Sequence, residues 1–145
     1  MTHSAAHGSW LISVGGTTPG AFLAASLGAA TISHVLELER LAGDPPALDL
    51  VQPGLGSDGH TASLIPGVPV HDTTGDFATT GLYGGTLRVT MTAPLPNRAR
   101  RRLLLITGDG KDDALTRLTE RDPSIPGSLI SGIATTLVTD RQIPN

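Results

Sequence analysis

Three short apolar segments of this 145-residue chain each lead into a turn that contains glycine. These pairs of segment and turn are 10–14 with Gly15 and Gly16, 47–51 with Gly54, and 103–107 with Gly108. Short apolar runs bounded by glycine are typical of buried strands, and a helix is predicted after each turn. Repeated strand–turn–helix units predict an α/β fold with an open, mostly parallel, Rossmann-like sheet and flanking helices. Because ligands bind where loops leave the carboxyl ends of parallel strands, the three glycine turns are expected to face one crevice.

The rest of the chain fits the same plan. The remaining predicted elements are helices at 17–30 and 33–43, strands at 86–91 and 133–140, and a loop at 66–85. Gly43 is predicted to end the second of these helices. The run "LLLIT" is apolar at four consecutive positions, which predicts a strand buried on both faces.

Composition limits the classes of function. The length suits one domain over 1–145, with 1–9 as a flexible tail. A formal charge of −3 provides no general attraction to nucleic acid or to anionic membranes. The chain has no cysteine, no apolar run near membrane-spanning length and no secretory signal pattern, so a cytoplasmic location is predicted. The oligomeric state stays open, a homo-oligomer included.

Four arginines precede the "LLLIT" run, at the end of the predicted strand away from the crevice. They are Arg98, Arg100, Arg101 and Arg102. No aromatic residues lie among them to stack on bases, so we interpret them as a solvated cap or as ion-pair partners rather than as a nucleic-acid patch.

Two segments are candidates for binding an anion. The first contains Gly15, Gly16, Thr17 and Thr18, where free amides at a helix start attract negative charge. Its alternative is a turn that needs glycine for geometry alone. The second is Lys111, because a cation in the first turn of a helix opposes the helix dipole but suits a phosphate. Its alternative is a solvated lysine balanced by neighbouring aspartates.

The segment "GLGSDGHTASLIPG" (54–67) offers more than one chemistry. Its glycines fit the dinucleotide fingerprint G-x-G-x-x-G, but the acid about 20 residues later, Asp76, lies in predicted loop, so that interpretation fails. It matches neither the P-loop nor the G-x-S-x-G pattern of serine esterases. His60, with Asp58 two residues before it, is a candidate general base. The alternative is a structural or solvated histidine.

No two histidines of the chain have convincing metal-ligand spacing, so no metal is predicted.

The combination of motifs resembles the 6-phosphogluconolactonase family. Residues 54–67 resemble that family's signature G-[LM]-G-x-D-G-H-x-A-S-L-[FI]-P, and "SVGGTTP" (13–19) resembles its G-G-S-T-P phosphate loop. Residues 87–115 resemble its R-[IV]-T strand followed by a G-x-x-K helix start, and 38–51 resemble the segment that leads into the signature.

The resemblance implies a fold shared with sugar-phosphate isomerases and the hydrolysis of 6-phosphoglucono-1,5-lactone to 6-phosphogluconate in the pentose phosphate pathway. By position, His60 is then the base that activates water, with Asp58 beside it. The phosphate is held by Gly15–Thr18 and Lys111, with Arg88 as a possible helper. A lactone carbonyl is reactive enough that no cofactor is needed. A phosphosugar is therefore the expected small-molecule partner.

The sequence departs from this family at one segment. Nothing between the phosphate loop and the signature matches the family's Asp-Glu-Arg-x-Val-Pro, so we interpret the chain as a shortened member. A non-catalytic phosphosugar-binding relative is the main alternative. Glucosamine-6-phosphate deaminase, a related family, carries a glutamate where this chain has Ile65, and this difference favours the lactonase.

Overall fold

The computed structural model describes residues 32–33, 35–68, 70, 74–82 and 87–143. The predicted strand at 10–14, the predicted helix at 17–30 and the glycine turn at 15–18 lie outside the described residues. The elements in chain order are α1 (32–33 and 35–42), β1 (Leu50–Val51), β2 (Phe77–Thr79), β3 (Val89–Met91), α2 (Pro94–Arg98), β4 (Arg101–Ile106), α3 (Asp112–Thr119), a 3-10 turn (Pro126–Leu129) and β5 (Thr135–Thr139).

Among the described residues, a parallel sheet of three strands has the order β1–β4–β5. Its register sets Val51 opposite Arg102, and Leu104 opposite Leu137. The strand β1 stops at Val51, before Gln52 and Pro53, and proline has no N–H to donate to a strand ladder. The predicted α/β fold with a parallel sheet is confirmed.

A second, antiparallel sheet joins β2 and β3, with Phe77 opposite Met91. We refer to these two strands, together with the pair Thr80–Arg88 that extends them, as the ribbon. The prediction of an uninterrupted loop at 66–85 is therefore wrong, because β2 lies within it. The predicted strand at 86–91 contains β3, which joins the ribbon rather than the parallel sheet. Its alternating pattern suits an antiparallel pair with one exposed side.

The glycine turns at Gly54 and Gly108 lead into different structures. After Gly108, which has a φ of +89°, the chain enters α3 as predicted. Residues 54–68, which the structure describes, form no helix, so that prediction is wrong. The chain makes successive turns there, with reciprocal backbone hydrogen bonds between Thr61 and Leu64 of 3.2 and 2.8 Å. Pro66 comes directly afterwards, and proline favours a turn over a continuing helix.

The hydrophobic core lies between one face of the parallel sheet and α3. Its fully buried members are Leu55, Leu104, Ile106, Ala114 and Leu115. Along β4 the side chains alternate, and Leu105, on the opposite face, is 45% exposed. The prediction that this strand is buried on both faces is therefore wrong for the described part of the chain.

The arginines before β4 have different environments. Arg98 forms an ion pair with Asp76 at 2.5 Å, and Arg100 forms one with Asp49 at 3.0 Å, as predicted. Arg102 is only 4% exposed, so for this residue the prediction of a solvated cap or ion pair is wrong. Its guanidinium donates to Thr135 Oγ1 and to the carbonyls of Pro96, Asn97, Ala99 and Ile133. Arg102 therefore ties α2 to the start of β5.

Replacing Arg102 by leucine is expected to lower the free energy of unfolding by about 2 kcal/mol, because buried carbonyls lose their donors. The matched control is Arg101→Leu, at the exposed neighbouring position of the same strand, with an expected change within about 0.5 kcal/mol. Urea denaturation measures both. Equal losses at the two positions would contradict the assigned role of Arg102.

Candidate active site

The segment from Gly54 to His60, here called the signature turn, comes after β1 at the carboxyl edge of the parallel sheet. Leu55 anchors it, because its side chain is part of the hydrophobic core. The amide of Gly56 donates to the carbonyl of His60 at 2.8 Å and closes the turn. Thr61 Oγ1 donates to the carbonyl of Gly54 at 2.8 Å. The turn is thus fixed at both ends.

His60 and Asp58 form a hydrogen-bonded pair on this turn. Nδ1 of the imidazole lies 2.6 Å from Oδ1 of Asp58, and the same oxygen accepts the backbone amide of His60 at 3.1 Å. An ionised carboxylate can only accept, so Nδ1 carries a proton, and in the neutral imidazole Nε2 is left as an acceptor. The imidazole is 36% exposed, so water reaches it. This is the tautomer that a general base needs.

The carboxyl of Asp58 is held in its charged form. Burial raises the pKa of Asp58, but the hydrogen bonds from the backbone and ring of His60, together with the charge of the ring, outweigh burial and lower the pKa below its ordinary value. An ionised partner keeps the ring orientation fixed and stabilises an imidazolium. The pair can therefore accept and return a proton.

Gly56 lies directly against the imidazole. A β-carbon at this position would overlap Nδ1 and Cε1 of His60 and would lie 2.7 Å from Oδ1 of Asp58. The glycine is required here by close approach, because larger residues would occupy the space of the ring.

Gly59 connects the signature turn to the 3-10 turn. Its φ is +87°, and a β-carbon there would overlap Ile125, which is fully buried. The carbonyl of Gly59 accepts the amide of Gly127 at 3.0 Å. The backbone beside His60 is thus supported by a segment more than 60 residues later in the chain.

Lys111 lies just after the glycine turn at Gly108, at the same edge of the sheet as the signature turn. It is the residue before α3, and its Nζ donates to the carbonyl of Leu55 at 2.7 Å. The prediction that the glycine turns share one edge is confirmed for the turns at Gly54 and Gly108; the turn at Gly15 lies outside the described residues. The ammonium therefore sits against the turn that carries His60.

The aspartates near Lys111 are paired with arginines. Arg141 bridges Asp109 at 3.2 Å and Asp112 at 2.6 Å, and its hydrogen bond lowers the pKa of Asp112. Asp113 lies 3.7 Å from Arg117. The alternative in which these aspartates simply balance a solvated lysine is therefore not what the structure describes.

Arg88 lies on the ribbon, one residue before β3. Its backbone pairs with Thr80, whose amide donates to the Arg88 carbonyl at 2.8 Å. The ribbon contacts the segment after the signature turn, where the amide of Ser63 donates to Thr90 Oγ1 at 3.0 Å. Arg88 is thus two residues from Thr90, which joins the ribbon to the segment after the signature turn. The other predicted phosphate-binding residues, Gly15–Thr18, lie outside the described residues.

The sequence did not indicate the supporting contacts made by Thr90 and Gly127. The partners of these residues lie 27 and 68 positions away, and no local pattern marks such pairs. Within the described part of the chain, no group of three or more histidine, aspartate or glutamate side chains is arranged to hold a metal ion. Among the same residues, no helix has the length and apolarity to cross a membrane.

The fold and the turn define an α/β protein that carries a histidine–aspartate pair at the carboxyl edge of its parallel sheet. A model of the family described as glucosamine-6-phosphate isomerases/6-phosphogluconolactonase matches residues 7–139. The chain belongs to this family, as the motifs predicted.

Individual relatives agree with this membership. A 6-phosphogluconolactonase from Synechocystis is 45% identical over 84 residues, covering 57% of this chain and 35% of the relative. A probable 6-phosphogluconolactonase from Arabidopsis thaliana is 36% identical over 91 residues, covering 61% and 34%. The structure of 6-phosphogluconolactonase from Thermotoga maritima is similar with a TM-score of 0.63 and 26% identity, covering 85% of this chain and 52% of that one. The chain thus spans about a third of these curated relatives and about half of that structure.

Proposed function

We propose that this protein hydrolyses 6-phosphoglucono-1,5-lactone to 6-phosphogluconate. The observation that carries the proposal is the Asp58–His60 pair on a turn whose Leu55 carbonyl also accepts the ammonium of Lys111. A base and a cation at one sheet edge suit a substrate with a reactive carbonyl at one end and a phosphate at the other. Relatives named 6-phosphogluconolactonase support this substrate class.

In the proposed reaction, Nε2 of His60 removes a proton from a water molecule as the water oxygen attacks the lactone carbonyl carbon. The tetrahedral intermediate collapses with cleavage of the bond between that carbon and the ring oxygen. The imidazolium returns its proton to the leaving ring oxygen, and the new carboxylic acid ionises to the carboxylate. Asp58 holds the tautomer and stabilises the imidazolium. One positioned base suffices because the carbonyl is already reactive.

The phosphate end of the substrate supplies binding energy that fixes the carbonyl relative to the water. In this proposal Lys111 uses one ammonium proton for Leu55 and directs the others to the phosphate. Gly15–Thr18 provide backbone amides, and Arg88 contributes a second cation from the ribbon.

Two other functions compete with this one. The absence of an Asp-Glu-Arg-x-Val-Pro segment supports a non-catalytic phosphosugar-binding protein. The deaminase of the same family is disfavoured, because the position of its glutamate is held here by Ile65, which is 7% exposed and has no ionisable group.

A substrate comparison separates these functions. We expect hydrolysis of 6-phosphogluconolactone above the uncatalysed rate, a much lower kcat/KM for unphosphorylated gluconolactone, and no ammonia from glucosamine 6-phosphate. Binding of 6-phosphogluconate without any acceleration would favour the binding protein and contradict the lactonase. Ammonia release would favour the deaminase.

Replacing Lys111 by alanine is expected to weaken the binding of 6-phosphogluconate by roughly 1–3 kcal/mol, the range for a hydrogen bond to a charged group. Isothermal titration calorimetry measures this change, with Arg101→Ala at the opposite end of β4 as the control. Lys111 is the only lysine in the chain, so a ¹³C-methylated sample reports its environment directly. Unchanged affinity in Lys111→Ala, together with an unchanged lysine signal in the wild type on adding 6-phosphogluconate, would show that Lys111 does not bind the phosphate.

A further inference from the structure

Thr90 lies where the ribbon meets the segment after the signature turn. It is 4% exposed, in the middle of β3. Its hydroxyl accepts the amide of Ser63 at 3.0 Å and donates to the carbonyl of Met91 at 3.0 Å. The hydroxyl thus uses its donor and one acceptor site, and serine is the closest substitute that keeps both hydrogen bonds.

Ser63 is closely linked to His60, three residues earlier. On either side of Ser63, the backbones of Thr61 and Leu64 exchange hydrogen bonds of 3.2 and 2.8 Å. Thr61, Ser63 and Leu64 are all buried, with exposed fractions of 2%, 6% and 1%. Because this segment is closely packed, we expect a displacement at Ser63 to shift the turn that holds the imidazole.

On the ribbon side of the Ser63–Thr90 hydrogen bond, Arg88 lies two residues before Thr90. The Thr90–Ser63 hydrogen bond thus joins the segment that carries His60 to the strand after Arg88. We propose that Thr90 is a positioning residue, which sets the imidazole of His60 relative to the ribbon and hence to the bound substrate. This inference rests on the proposed lactonase function and assigns Thr90 no contact with substrate.

Two substitutions distinguish positioning from simple packing. Thr90→Val keeps the shape but leaves the buried amide of Ser63 without an acceptor, whereas Thr90→Ser keeps the hydroxyl. We expect kcat for 6-phosphogluconolactone to fall at least about tenfold in Thr90→Val, because small misplacements of a catalytic group are costly, and to stay within roughly threefold of the wild type in Thr90→Ser. The control is Thr136→Val, at an exposed position of β5.

All rates are measured well below the unfolding temperature of each variant, so that lost stability alone does not lower kcat. A Thr90→Val variant with a lowered unfolding temperature but wild-type kcat and KM would overturn the proposal. So would equal losses of kcat in Thr90→Val and Thr90→Ser, since the hydroxyl would then not be the cause.

A second readout is independent of activity. The ¹H–¹⁵N signals of the His60 ring, assigned with a His60→Gln variant, are expected to move in Thr90→Val and to stay in place in Thr90→Ser. If the wild type hydrolyses no lactone but these signals move as expected, the proposed function fails while the positioning role of Thr90 holds. Unmoved ring signals in Thr90→Val would overturn the positioning role whatever the activity.

Discussion

Replacing His60 by alanine is expected to lower kcat for 6-phosphogluconolactone by a factor of about 10² to 10⁴, the usual contribution of a general base. Without the imidazole, no group on the signature turn remains to take the proton from water, since Asp58 in its ionised form is a much weaker base. The fold should persist, because the ring is 36% exposed and its removal opens no buried cavity. Steady-state hydrolysis and a thermal unfolding curve measure the two effects separately.

Two substitutions near His60 are compared with His60→Ala, one as a control and one as a second test of the mechanism. Ser57→Ala, at an exposed position of the same turn, should leave kcat unchanged, whereas a serine nucleophile would make this variant inactive. Asp58→Asn removes the charge that holds the tautomer and should lower kcat by roughly tenfold or more. If His60→Ala and the wild type hydrolyse the lactone at equal rates, the proposed mechanism is wrong.

Replacing Gly56 by alanine is expected to lower kcat by about 100-fold. The new β-carbon would occupy the space of the imidazole, so the ring must turn toward solvent and lose its 2.6 Å hydrogen bond to Asp58. A misplacement of this size typically costs about two orders of magnitude in rate. Parallel measurements of kcat and of urea denaturation record activity and stability separately.

Gly75→Ala is the matched control for Gly56→Ala. A β-carbon on Gly75 meets only the carbonyl of Phe77, at an ordinary 3.7 Å, and the position lies before the ribbon rather than on the signature turn. We expect both kcat and stability to change little. Wild-type kcat in Gly56→Ala would show that the orientation of the ring does not limit the reaction.

Local sequence patterns predicted the elements of the fold that depend on burial and backbone conformation within a short segment. The apolar run of β4 and the glycine turn into α3 were confirmed, because burial and positive φ leave a direct mark on the sequence. The pairing of Asp58 with His60 was expected from a spacing of two residues. The placement of Lys111 at the same edge was expected from the rule that ligand loops gather at the carboxyl ends of parallel strands.

Tertiary contacts determine the parts of the structure that local sequence patterns did not predict. The strand β2 is three residues long and lies among glycines and threonines, so nothing local distinguished it from loop. A helix was expected after Gly54 by analogy with the other turns, but the signature turn is instead held by contacts from Lys111 and Gly127, and the segment after it by a contact from Thr90. Such partners are far apart in sequence, and only the fold brings them together.

The central claim is that one edge of the parallel sheet binds both ends of a phosphosugar. A crystal structure with 6-phosphogluconate tests this claim most directly. We predict one ligand whose phosphate contacts the amine of Lys111 and whose carboxylate is linked to Nε2 of His60 by one water molecule, with that water about 3 Å from Nε2. A ligand bound elsewhere, or bound with its phosphate at His60 and its carboxylate turned away, would contradict the account.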